Sequence, residues 1–152
     1  MPMKLYTLQQ KLFVPVSLEK AWDFFSDPEN LAIITPPEMK FVTTSAPQHD
    51  MYPGQIISYT LSPLLFFRIR WVTEITHVVD KQFFVDEQRF GPYKFWHHQH
   101  KFKEVPGGIE MTDLVHFGLP FGILAAPMVP YIRKKVAGIF TYREKVIKEI
   151  FP

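Results

Sequence analysis

The stretch QFFVDEQRFGPYKFWHHQHKFK, residues 82–103, decides the fold. It reads as two β-strands joined by a turn at Gly91-Pro92. Side chains along a strand alternate between faces. Phe84, Asp86 and Gln88 therefore share one face of the first arm, and Trp96, His98, His100 and Phe102 share one face of the second. Folding the hairpin about its turn brings the two sets to the same side, with Asp86 opposite His98 and Gln88 opposite Trp96. A carboxylate, an amide and two imidazoles between aromatic walls are more polar than a plain core requires. This face is expected to line a pocket.

The same alternation extends outward from the hairpin. Strands are expected over 40–46, 55–62, 66–77, 82–90, 94–105 and 109–118, separated by turn signals at Pro53-Gly54, Ser62-Pro63, Asp80-Lys81, Gly91-Pro92 and Pro106-Gly107-Gly108. Short connections between consecutive strands imply an antiparallel meander. Ahead of it, 5–14 reads as a first strand ended by Pro15. Ser17 is then a helix N-cap with Glu19 in the first turn, and Asp27-Pro28-Glu29 opens a second short helix that stops at Pro36-Pro37. Behind it, Val129, Ile132, Val136, Ile139, Phe140, Ile147 and Ile150 recur at three- and four-residue steps, which predicts an amphipathic helix of about twenty residues ending near Phe151. The whole is an α+β architecture in one domain, 1–152: a curved antiparallel sheet of about seven strands wrapped around a long C-terminal helix, with two short helices after the first strand. The space between sheet and helix can remain a cavity.

Composition narrows the function. Aromatics make up 16% of the 152 residues, a surplus that suits a large core or an aromatic-lined cavity. A net charge of +2 gives no general signal for nucleic acid, and Arg133, Lys134 and Lys135 read as the solvated face of the last helix. Cysteine is absent, which excludes disulfides and thiolate chemistry and fits a cytoplasmic location. The N-terminus lacks the apolar run of a signal peptide. The most apolar stretch, 117–132, is shorter than the roughly 20 residues of a membrane span and is broken by prolines, so no stable membrane insertion is expected.

The order of elements resembles the helix-grip fold of the START and Bet v 1-like (SRPBCC) superfamily. The resemblance covers essentially the whole chain. It is carried by VPVSLEKAWDFFSDPENLAIITP at 14–36, FFVDEQRFGPYKFWHHQHKF at 83–102 and MTDLVHFGLPFG at 111–122, the last two similar to bacterial SRPBCC proteins of unassigned ligand. The resemblance implies a deep cavity for a lipid, hormone or polyketide-like molecule. Because that superfamily holds carriers and sensors as well as cyclases and dehydratases, fold alone does not choose between binding and catalysis.

The polar residues allow several readings. A turn at Pro106-Gly107 places His100 near Asp113, whose face is shared with Met111, Val115 and Phe117. Asp86, His98, His100 and Asp113 could hydrogen-bond one another inside a semi-polar cavity, orient the polar end of an apolar ligand, or act as a His–Asp acid–base pair. His98-x-His100 with Asp86 or Asp113 is also compatible with a metal, but four convergent ligands are not evident, and neither metal nor other cofactor is expected. Trp96 is the best aromatic candidate for the pocket, ahead of Trp22 and Trp71. Arg68 and Arg70 read as a solvated face. The connector 117–131 carries no charge and contains Pro120, Pro127 and Pro130. Phe121, Ile123, Leu124 and Met128 are expected to form a movable lid over the mouth, hinged at Gly118 and Gly122, with Ile132 and Val136 of the long helix below it in the pocket wall.

Overall fold

β1 (Tyr6–Val14) runs into Pro15, which has no N–H to continue the ladder. Ser17 then accepts a hydrogen bond from the Lys20 N–H at 3.3 Å and starts helix α1 (Leu18–Phe25), whose Ala21 and Trp22 are buried. Asp27 repeats the device: its carboxylate accepts from the Glu29 N–H at 3.0 Å, and Pro28 opens a short 3-10 turn, Pro28–Leu31. The second expected helix is therefore two 3-10 turns, this one and Pro37–Met39, because prolines at 28, 36 and 37 deny it the donors of a longer α-helix.

The meander follows: β2 (Val42–Thr43), β3 (Gln55–Leu64), β4 (Phe67–Val79), β5 (Phe83–Phe90), β6 (Phe95–Val105) and β7 (Gly108–Gly118). The chain ends with a 3-10 stretch, Gly122–Met128, that leads into helix α2 (Val129–Ile150). This computed structural model describes residues 2–47, 49–64 and 67–152. The seven strands form one antiparallel sheet in the order β1-β7-β6-β5-β4-β3-β2, so the first strand lies beside the last.

Two expectations in the meander are corrected. The strand expected at 40–46 shrinks to Val42–Thr43 at the sheet edge. Ser62-Pro63 is not the turn. β3 continues through it, and the pairing with β4 shifts register between Leu61 and Leu64, an irregularity that absorbs the missing Pro63 donor. Phe66, the expected first residue of the next strand, lies outside the described residues. Further register shifts occur between Val72 and Thr73 and between Ile75 and His77 of β4. Such bulges bend a strand and increase its local twist.

Two apolar clusters hold sheet and helices together. One joins Trp22 of α1 to Phe84, Phe102, Leu12, Val14, Ile147 and Phe151; the Trp22 ring meets Phe102 and Phe84 edge-on at 5.2 and 5.9 Å. The other joins Val115, Phe117 and Leu119 to Ala125 and Val129 where α2 begins. α2 is thus pinned to the sheet at both ends. Its 22 residues span about 33 Å, and the space below its middle is left unfilled. Among the described residues no helix is long and apolar enough to cross a membrane.

Candidate functional site

The unfilled space is a cavity of about 520 Å³, within the usual range of roughly 300–1,000 Å³ for small-molecule sites. Its sheet side is formed by Ile57, Tyr59, Trp71, Ile75, Phe84 and Trp96, among others. Phe24, Phe25, Leu31 and Ile34 close the end under α1. Ile132, Val136, Ile139 and Phe140 of α2 form the opposite side. Trp71 sits at the centre of an aromatic group, edge-on to Trp96 at 5.4 Å and to Tyr93 at 5.6 Å, and stacked near Tyr59 at 6.2 Å.

Four ionisable side chains from three adjacent strands meet at the sheet side. Antiparallel pairing sets Asp86 opposite His98, and His100 opposite both Phe84 and Asp113. The hydrogen bonds run on the diagonals. His98 donates from Nε2 to Asp113 Oδ1 at 2.7 Å, and His100 donates from Nε2 to Asp86 Oδ2 at 2.6 Å. His100 Nδ1 is also 3.1 Å from Asp113 Oδ1. The two imidazoles stack at 3.8 Å, and Phe84 covers the outer face of His100 at 4.2 Å. Asp86, His98 and His100 reach the cavity wall, whereas Asp113 stands behind it and holds both rings.

This geometry separates the two histidines chemically. Burial opposes a charge on His100, but the bonds to Asp113 and Asp86 outweigh it and push the imidazole up to about 9. Burial, then the His100 charge, depress His98 despite its acidic partners. Burial tends to raise both carboxyls, yet the histidines hold Asp86 and Asp113 below the ordinary carboxylate range. At neutral pH His100 is therefore an imidazolium between two carboxylates. His98 is neutral, with its proton on Nε2 toward Asp113. Its Nδ1 lone pair is 3.7 Å from the nearest Asp86 oxygen, too far for a hydrogen bond.

One ligand atom from each of Asp86, His98 and His100 falls within 4.8 Å of the others. These are the two histidines and one of the two carboxylates whose spacing was compatible with a metal, and they supply three ligand atoms. A metal here would have to displace the proton that His100 holds between its two carboxylates.

The other expected site residues divide. Phe84, Trp96, Phe121, Met128, Ile132 and Val136 contribute to the cavity wall. Gln88 does not. It turns back over the hairpin turn, donating to the Tyr93 carbonyl at 2.7 Å and accepting from the Tyr93 N–H at 3.0 Å. A Cβ on Gly91 would come within 2.5 Å of that amide, so a larger residue there would have to displace the Gln88 side chain from this position. Phe102 is also off the wall, buried under Trp22 in the core. Leu124 points to solvent at 75% exposure, and Ile123 at 70%. Gly118 is buried and paired with Phe95 at the end of β7, which leaves it little hinge freedom. Within the connector the left-handed residues are Phe121 (φ 67°) and Gly122 (φ 55°). Arg68 lies on the outer side and donates to Thr60 Oγ1 at 2.7 Å, in keeping with a solvated face.

The wall residues not expected from the sequence include Tyr59, Tyr93 and Arg143. The Tyr59 hydroxyl pairs with Thr73 Oγ1 at 3.1 Å. Arg143 belongs to the wall although it is a cation on the apolar stripe of α2, between Val136 and Phe140 on one side and Ile147 on the other. That misplaced charge was the available signal.

An antiparallel sheet curled around a long C-terminal helix, with a short helix and two 3-10 turns after the first strand and a cavity between, is the helix-grip fold of Bet v 1-like proteins. Solved structures agree. Protein Ms6760 from Mycobacterium smegmatis superposes with a TM-score of 0.68 at 17% identity, covering 98% of this chain and 99% of that one. The allergen Ara h 8.0201 gives 0.65 at 15%, covering 96% and 99%. A point mutant of Thalictrum flavum norcoclaurine synthase, solved with a transition-state analogue, gives 0.69 at 13%, covering 98% of each chain. At these identities the likeness establishes the fold alone. No protein-family model and no curated protein matches the sequence.

Proposed function

We propose that this protein binds a small apolar or amphipathic molecule between sheet and α2, as a cytoplasmic carrier or sensor, with the His98–His100–Asp86 face orienting the ligand's polar end. The observation that carries the reading is the cavity itself: about 520 Å³, walled by aromatic and aliphatic side chains that a domain of this size could have used to fill the space. Packing normally leaves few voids larger than a water molecule, so one this large with a polar group at one side suits a bound guest. Phe121 and Met128 at the wall, with the exposed Ile123 and Leu124 beside them, would serve as the lid through which the guest enters.

Native mass spectrometry of protein purified without detergent, followed by extraction, tests the proposal, together with titration of a neutral apolar fluorescent probe. The wild type should bind the probe, and Trp96→Ala should weaken it by about 1–3 kcal/mol, the loss of one large aromatic contact. A folded Trp96→Ala protein with unchanged affinity would remove Trp96 from the binding surface. A wild type that binds no probe and carries no guest would remove the cavity reading.

One observation favours a second reading, a cyclase- or dehydratase-like enzyme. His98 is neutral, fixed in one tautomer by Asp113, and keeps Nδ1 without a hydrogen bond at the cavity wall. That is the arrangement of a general base oriented by a carboxylate. Recovery of a chemically altered guest from the wild type but not from His98→Gln would favour it over carriage.

A further inference from the structure

The wall of the cavity holds a cation with nothing to neutralise it at contact distance. Arg143 reaches the wall from α2, and no ion pair among the described residues includes it. Its guanidinium carbon lies 5.3 Å from the centre of the Phe140 ring. The Nε atom is buried and makes no hydrogen bond. A second buried donor without a partner, the indole Nε1 of Trp71, belongs to another wall residue. The carboxylates of the polar face are, by contrast, engaged: Asp113 and Asp86 take the His98 and His100 protons. The wall therefore has two unused buried donors among the described residues, and its free acceptor at this face, His98 Nδ1, is neutral. A half-buried guanidinium whose Nε is buried without a partner carries a desolvation cost, and its planar fork matches a carboxylate.

We infer that the guest is an apolar molecule ending in a carboxylate, and that Arg143 binds this carboxylate. The inference rests on the cavity-binding proposal and narrows it to one ligand class. The net charge of the four groups does not by itself call for an anion, because Asp86 and Asp113 are offset by His100 in direct contact and by Arg143 at longer range. At contact distance, however, Arg143 alone of the four has no partner among the described residues. The acidic pair is thus already bonded to the histidines, while Arg143 meets it only at long range and remains free for an incoming anion. A ligand amine would have to compete with His100 for Asp86. A ligand hydroxyl could accept from Arg143 but could not neutralise it.

The test compares guests of one chain length and three head groups. Dodecanoate, dodecan-1-ol and dodecylamine compete for a bound neutral fluorescent probe, in the wild type, Arg143→Met and Arg143→Lys, with melting temperature recorded to confirm folding. The wild type should prefer dodecanoate over the alcohol by about tenfold or more, the scale of one charge-assisted contact. Arg143→Met should lose the preference while still binding the alcohol, and Arg143→Lys should keep part of it. Equal affinity for acid and alcohol in the wild type, a preference for the amine, or a carboxylate preference that survives in Arg143→Met each overturns the inference and leaves the cavity reading standing. If Arg143→Met does not fold, the wild-type head-group order and Arg143→Lys decide. A wild type that binds neither probe nor any of the three refutes the cavity reading itself.

Discussion

Raising the pH from 6.5 to about 9.5 should strip stability from this protein in a way that reports the His100 cluster. In the unfolded chain the imidazole titrates near 6.5; in the fold it is pushed up to about 9. Between those values the folded state holds a proton that the unfolded state has released. Stability from this group is therefore fully present below pH 6.5 and is lost as pH rises through 9. The difference, from 6.5 to about 9, is worth about 3 kcal/mol at 1.36 kcal/mol per unit. The His100 side chain is only 13% exposed, so solvent screening does little to reduce this. His98 acts in the opposite direction. Its folded value is depressed, so its contribution is present above pH 6.5 and is lost as pH falls. The two histidines together put the stability maximum near 6.5. Tyr93, pushed up by burial to about 12, adds to the alkaline loss only above pH 10. Urea denaturation at half-unit pH steps measures the curve, with His100→Gln as the comparison. The wild type should lose about 3 kcal/mol between pH 6.5 and 9.5, and His100→Gln should lose far less over the same window. A wild-type curve that is flat or rising there, or an equal loss in His100→Gln, would falsify the assignment of a shared proton to His100.

Three further outcomes follow from the geometry. Gln88→Leu should destabilise the fold by about 1–3 kcal/mol, the loss of two hydrogen bonds to the Tyr93 backbone, and leave probe affinity unchanged; weaker probe binding at unchanged stability would return Gln88 to the cavity. Elemental analysis should find no stoichiometric transition metal, because binding one would first have to remove a proton held at about 9; about one zinc or iron per chain, absent from His98→Ala, would reverse this. Hydrogen exchange across 117–131 should be fast in the empty protein and slow when an apolar guest is bound, since Phe121, Ile123 and Leu124 are at least 70% exposed; protection equal to that of β6 in both states would leave the segment only a packing role.

Much of the sheet was legible in the sequence because strand alternation is a local property. Residues two apart share a face whatever surrounds them, and short turns leave few registers. That is why Asp86 opposite His98, and His100 beside Asp113, follow from the order of residues alone. Ser17, Asp27 and Pro28 announced their helical starts for the same local reason.

What depended on distance along or across the fold could not be read this way. Phe84 and Phe102 have the same alternation and both pack on Trp22 of α1, yet only Phe84 also reaches the cavity wall. Gln88 has the alternation of a pocket residue, yet two backbone groups of the turn offer it better partners than the cavity does. The diagonal choice of carboxylates, and with it the division into a charged His100 and a neutral His98, comes from side-chain rotamers packed across three strands. Arg143 was visible as a charge on an apolar stripe. That the stripe faces a cavity follows from how α2 is rotated about its own axis, which is set by contacts at its two ends: Val129 with Val115 and Phe117 at one, and Ile147 with Leu12 and Val14, more than a hundred positions away, at the other. The sequence by itself determined which side chains could share a face; only the tertiary structure decided which of those faces enclose empty space, because a void is defined by all the elements around it at once.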